Sequence, residues 1–367
     1  IDALEQIASD NPTNTTIADK LADAKEQLAA AETAKDAAQQ ALDAIDEQTT
    51  LADVATQEKA GETALADADT AQQTADQDLA TAQDEAAKDL VADQVAGKAT
   101  VNETIKSIQD AITTITDDIA TLTDLAAKNP ADTQIANDLA DAKEQLATAE
   151  TALTDAQEQL AAIDAAKVPA DVDLAVATAQ TAGETAATAQ TTANQDVSDA
   201  QTKHDANLAA TKETATDTIQ TIVDSLADNI AQITDDITTL QDLADKNRGD
   251  TVIADKLADA QNQLTDATAA QNDAQNQLDA IAEQPTMAAV DQLVTQAQAD
   301  QTAGSDAQTA ADNDVTAAQT QSDQNLAAAK QAATDQMTNQ LTQIDENITQ
   351  IESDIDALEQ IAADNPN

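Results

Sequence analysis

The chain has 367 residues, 70 acidic against 16 basic for a formal net charge of -54, and neither an aromatic residue nor a cysteine. Those numbers exclude a disulfide framework and thiol chemistry. A phosphate backbone would be repelled, so nucleic acid is not an expected partner, and no apolar run is long enough to insert in a membrane.

Low hydropathy with high net charge is the composition of disordered chains. Two features oppose that reading: Gly and Pro number only five each, and the apolar residues are spaced for helices. Ala, Asp, Thr and Gln fill most other positions. Ala favours helix while Asp and Thr are weak formers, so helicity is expected to come from packing between helices. A wide globular core needs aromatic or bulky aliphatic volume, whereas a thin bundle needs much less. The fold class read from this is all-α.

In chain order, the opening Ile1-Asp2-Ala3-Leu4-Glu5-Gln6-Ile7-Ala8 leads to an Asn11-Pro12 step. Asn14 stands three residues before Ile17, where its side chain can accept from the N–H groups of a starting helix. That helix, B, is expected over 15–47, with Ile17, Leu21, Ala24, Leu28, Ala31, Ala38, Leu42 and Ile45 on one face. Alternating Leu and Ala layers imply close helix approach, and Lys35 interrupts one layer. A second break falls near Thr49-Thr50. Segment C, about 51–95, has few large apolar residues, Leu65 and Leu79 among them, and nothing stops it from running into segment A. Segment A carries the strongest stripe in the chain: Val101, Ile105, Ile108, Ile112, Ile115, Ile119 and Leu122. Steps of four and three make it the seam of a coiled coil or bundle. Gly97, near the C–A junction, weakens a helix there but need not break it.

Asn11, Asn129, Asn247 and Asn365 stand 118 residues apart (129 − 11, 247 − 129, 365 − 247), the spacing of a tandem structural unit. Helix B recurs over 133–165 and 251–282, capped by Asp132 and Asp250, and Leu153 stands where the other copies have Lys35 and Gln271. Segment C recurs at 169–213 and 287–331, after breaks at Val168-Pro169 and Gln284-Pro285. The A stripe recurs as Ile219 to Leu240 and as Met337 to Leu358. All five prolines fall at the two kinds of break, where a missing N–H costs little. Cut at the Asn-Pro steps, the repeats are 12–129, 130–247 and 248–365, with 1–11 the end of a preceding one. Cut as bundles, they are about 98–215 and 216–333, with partial units at 1–97 and 334–367. Since Ile355 to Ala362 repeats the opening motif, the chain reads as a piece of a longer array.

In length, helix order and heptads the repeat resembles the spectrin-type repeat, whose third helix continues into the first helix of the next unit. It is also similar to the three-helix stalk arrays of giant cell-wall-anchored adhesins of Gram-positive bacteria, which are likewise acidic and free of cysteine. The resemblance implies an elongated rod with long helices shared between adjacent repeats. At ~36 residues per helix each repeat would add roughly 50 Å, and three about 150 Å. The alternative is separate three-helix beads with turns near 97, 206 and 324. In the shared-helix version the last stripe, Met337 to Leu358, is left without a partner.

Candidate chemistry is thin. His204 is the only histidine, and Ala86 and Ser322 replace it in the other copies, so a repeated site is not expected there. The acidic pairs Asp117-Asp118 and Asp235-Asp236 point in different directions on a helix, and no calcium loop gathers carboxylates. Diffuse counter-cations are expected, with no metal or cofactor. A Thr row suited to ice (Thr56, Thr63, Thr70, Thr81) decays to Leu174, Thr181, Thr188, Asp199 in the next copy. Asn-x-Thr signals occur at Asn14, Asn102 and Asn347.

The expectation is therefore a non-enzymatic spacer, the extracellular stalk of a bacterial surface protein that holds a terminal binding domain away from the wall. Its partners would be adjacent repeats of the same chain. The alternative is an adhesive repeat that binds a host or matrix protein through a helix face; that would need solvent-facing residues shared by all copies, and helix C drifts. An intracellular coiled-coil scaffold is a third reading.

Overall fold

The structure is a computed structural model that describes residues 1–364, with side chains through 362; the turn expected at Asn365-Pro366 lies outside the described residues. The elements are α1 (Asp2–Asp10), α2 (Thr15–Ile45), α3 (Leu51–Lys128), α4 (Thr133–Ala165), α5 (Pro169–Lys246), α6 (Thr251–Ala280) with a short 3-10 turn (Ile281–Glu283), and α7 (Met287–Asp364). No strand occurs among the described residues. Helices α3, α5 and α7 are 78 residues long each and run through positions 97, 206 and 324, where separate beads would have turned. Two compact units divide at His204, with the boundary inside α5.

The short helices start where the sequence places caps. Asn14 accepts from Ile17 N–H at 3.0 Å. Asp132 accepts from Gln134 and Ile135 N–H, and Asp250 from those of Val252 and Ile253. Loss of one such cap costs about 1 kcal/mol. Each cap is also tied to a long helix. The Asn14 amide donates to Asp89, Asp132 lies 3.7 Å from Lys203 Nζ, and Asp250 accepts from Asn325 at 2.7 Å. At the other end of the short helix, Gln94 donates to Ile163 O and Lys212, 118 positions later, to Ala282 O.

In the first unit the second half of α3, all of α4 and the first part of α5 share one core. Val101, Ile108, Ile115 and Leu122 of the stripe are wholly enclosed, and Ile112 and Ile119 flank them. Each enclosed Ile or Leu contributes about 2 kcal/mol of apolar burial. On α4 the enclosed positions are Ile135, Ile163 and the alanines 142, 149 and 156, while Leu139, Leu146, Leu153 and Leu160 lie at the margins. On α5 the centre is alanine at 175, 179, 182, 186, 189, 193 and 200. Small residues at the centre let the helices approach closely. Gly97 is one such place: a Cβ there would lie 2.7 Å from Val172. A smaller cluster joins Leu4 of α1 to Ile17 and Ala24 of α2 and Ala82 of α3.

In the second unit the corresponding helices, the last part of α5, α6 and the first part of α7, form two clusters rather than one. Ile219, Ile222 and Leu226 pack with Ala270, Ala274, Ile281, Val290 and Ala297. Ile233 and Leu240 pack with Ile253, Ala260, Ala267, Ala311 and Ala318. From Leu326 through Ala362 every described residue of α7 is exposed.

The surface is bonded largely to itself. Threonine hydroxyls such as those of Thr56, Thr63, Thr70 and Thr81 donate to the carbonyl four residues earlier. Gln39, Gln195, Gln275 and Gln350 each donate to an aspartate four residues later, a pairing that supports a helix.

Candidate functional site

The chemistry-bearing groups collect in one layer of the heptads. On α5 the alanine series steps from 193 to 200 through position 196, which is aspartate; its counterparts are Asp78 on α3 and Asp314 on α7. A carboxylate at a core position needs a partner. Asp78 has Lys20 at 3.0 Å and Asp314 has Lys256 at 3.0 Å, both lysines coming from the short helix. Gln263 donates to Asp314 as well.

At the corresponding position α4 carries Asp138, so Asp196 meets a second carboxylate where the other copies supply an ammonium group. Asp118 of α3 joins them. Each of the three carries a buried Oδ2 without a hydrogen-bond partner. Burial raises all three above the ordinary carboxylate range, and neighbouring carboxylates add to it. Asp196 is pushed up to about 6 by burial and then by Asp141, Asp138, Asp199 and Asp118. In the second unit Asp236 is raised to about 6 by burial and by Asp312. Among the described residues no group of three or more His, Cys, Asp or Glu side chains could hold a metal ion.

The acidic pairs of the sequence separate as helical geometry requires. Asp117 and Asp235 are exposed, and Asp118 and Asp236 turn inward. His204 is buried, with Nδ1 2.8 Å from the Asn129 amide nitrogen. That nitrogen can only donate, so Nδ1 accepts and the imidazole proton sits on Nε2. The same amide donates to Leu125 O. In the next copy Asn247 donates to Ser322 at 2.9 Å. His204 thus serves the turn. The Thr row is exposed, with its hydroxyls spent on its own helix, and the Asn14 side chain is occupied as a cap.

An open groove lies between α2 and α3 beyond the N-terminal end of α1, with a cavity of about 390 Å³ lined in part by Ile1, Leu28, Ala31 and Ala68. Leu28 is 48% exposed there and Leu42, further along α2, 59%, whereas their counterparts Leu146 and Leu160 are packed against a core. The sequence points to neither the acid layer nor the groove when each copy is read alone. Setting Lys20, Asp138 and Lys256 side by side in the 118-residue register was the signal available for the first.

No protein-family model, curated protein or solved structure matches the chain. No described helix is long and apolar enough to cross a membrane.

Proposed function

We propose that the chain is a run of tandem three-helix repeats of spectrin-like form, elongated into a rod, and that its role is to hold a binding domain at a distance from a bacterial cell surface. The supporting observation is that one apolar stripe recurs at 118 residues and, as Val101 to Leu122 and as Ile219 to Leu240, is enclosed by the next short helix and the start of the next long one. Long helices that lend their first part to one core and their last part to another are what a load-bearing spacer requires. The charge fits the role: acidic faces repel neighbouring stalks and acidic polymers. In this reading the lysine and aspartate layer fixes register between helices and does no chemistry.

Small-angle scattering tests the proposal. The spacer reading expects a maximum dimension on the order of 150 Å for three repeats at 1.5 Å per helical residue, growing in proportion as repeats are added. A globular envelope defeats it.

A further inference from the structure

The turn between α1 and α2 has lost donors that its later copies keep. In the third copy Asn325 bridges the turn: its Nδ2 donates to the capping Asp250 at 2.7 Å and to Asn247 Oδ1 at 3.2 Å. Gln321 donates to Asp250 as well, and in the second copy Lys203 stands at that position beside Asp132. The first copy carries Glu85 and Asp89 at these two places, with Asn14 as the cap. Glu85 pairs with Lys88 at 2.8 Å. The tie from cap to long helix survives by reversal, Asn14 Nδ2 donating to Asp89 Oδ2. The bond to the buried asparagine does not, because a carboxylate has no proton to give.

Asn11 is left with an orphaned oxygen. Its Nδ2 donates to Ile7 O at 2.8 Å, as Asn247 Nδ2 does to Leu243 O at 2.9 Å, so the two amides are turned the same way. The Oδ1 end of Asn11 then faces Asp89, as that of Asn247 faces Asn325. Asn11 is 7% exposed, and its Oδ1 is buried without a hydrogen-bond partner. A buried acceptor left unmade is costly. Asn11 and Asp89 line a cavity of about 680 Å³ between this turn and the start of α5, with Asp10, Asp93 and Asp173 on its walls and no lysine or arginine among its lining residues. Asp93 stands four residues after Asp89 on α3 and shares its face.

We infer that this cavity binds a hard divalent cation, calcium in the first place, through Asn11 Oδ1, Asp89 and Asp93. Calcium accepts irregular sets of carboxylate, amide and water oxygens, whereas magnesium demands a near-regular octahedron and gives up water reluctantly. Asp89 keeps Oδ1 for the ion while Oδ2 holds the cap. The ion places between Asn11 and Asp89 the positive charge that the Asn325 amide protons place there in the third copy. Two carboxylates and an amide oxygen make the site, so it is not a cluster of three acids, and water completes the shell. With so few protein ligands the affinity falls in the weak range of extracellular modules, on the order of 10⁻⁴–10⁻³ M. The second and third copies keep Asp at the cap and Asn on the long helix, so the site belongs to the first copy alone. The inference does not depend on the spacer role.

The full chain is titrated with calcium chloride by calorimetry, in moderate sodium chloride that screens diffuse attraction to the acidic surface. The side-chain amide signals of Asn11 and Asn14 are followed by NMR in parallel. One saturable site is expected, weaker for magnesium, with the Asn11 signal moving as it fills. Asp89→Asn, which installs the residue of the other copies, should abolish the site. It also gives Asn11 Oδ1 a donor, so its melting temperature without calcium should be no lower than that of the parent chain. Asp93→Asn, at an exposed position, should weaken binding several-fold. Asp67→Asn removes the same charge from an exposed position further back on α3 and should leave binding unchanged. Uptake that never saturates, that survives Asp89→Asn, or that falls equally in Asp67→Asn is diffuse condensation and overturns the inference. An Asn11 signal that stays still at saturation overturns it too, since the ion then lies elsewhere.

Discussion

The cores of the two units are copies of one plan that place their polarity differently. In the first unit α3, α4 and α5 enclose a single apolar core, with Leu153 packed against it, but their charged layer sets Asp138 against Asp196. In the second unit Gln271 stands in place of Leu153 and reaches toward Val223 O at 3.5 Å, and the core divides into two clusters. Its charged layer, however, joins Lys256 to Asp314. One copy keeps the apolar layer whole and leaves Asp138 and Asp196 opposed; the other gives Asp314 its lysine, although Asp236 still faces Asp312, and interrupts the apolar layer. Neither copy has both advantages, which indicates that one good layer suffices to set the alignment of three helices.

The comparison can be broken most severely at Lys256. Lys256→Ala leaves Asp314, 7% exposed, without its cation. We expect a marked loss of stability, smaller than for a fully enclosed pair because the lysine is partly in solvent. Denaturant melts with hydrogen exchange should place the loss in α6 and α7. An unchanged midpoint would show that the pair does not hold the layer.

A slightly smaller effect is expected at Gly304, where a Cβ would meet Leu226 Cδ2 at 2.1 Å. The first unit has Ala186 and Ile108 at the matching positions, so leucine with glycine has replaced isoleucine with alanine. Gly304→Ala should destabilise by roughly 1–2 kcal/mol through overpacking. Adding Leu226→Ile should recover most of it, which a double-mutant cycle measures as coupling. Additive effects would refute the exchange.

The gentlest test is pH. Asp196 and Asp236 have folded-state values of about 6, above the ordinary 3.8. A raised value means that folding favours the protonated form. The stabilisation is therefore complete below the ordinary value and lost as pH rises through about 6. Melting temperature should rise from pH 7 toward pH 5, and at neutral pH it should also rise with moderate salt. Asp138→Lys, which installs the pair of the other copies, should raise stability at pH 7 and flatten the dependence contributed by the first unit. A melting temperature that falls between pH 7 and pH 5 would contradict the assignment.

The sequence made much of this legible because its strongest signals are local. Asn14, Asp132 and Asp250 cap where they were expected to, and the Ile stripes are large residues at fixed steps in an alanine-rich chain. What stayed hidden was the role of alanine itself. Ala142 and Ala149 are enclosed while Leu139 and Leu146 stand at the margin, the reverse of a ranking by size. Alanine is too common here for its seven-residue recurrence on α5 to stand out, and Asp196 interrupts that series unnoticed. The inward turn of Asp118 depends on where α4 and α5 lie, which spacing along α3 alone does not fix.

The hydroxyls of Thr56 and Thr63 and the amides of Gln39 and Gln195 are already donated within their own helices. What these exposed faces present to water is then weighted toward lone pairs, on carboxylates and on threonine oxygens, over the one N–H that each such amide still has free. Two such faces brought together have little to offer each other, so a molecule of this kind resists clinging to its own kind along its flanks, by chemistry as much as by repulsion.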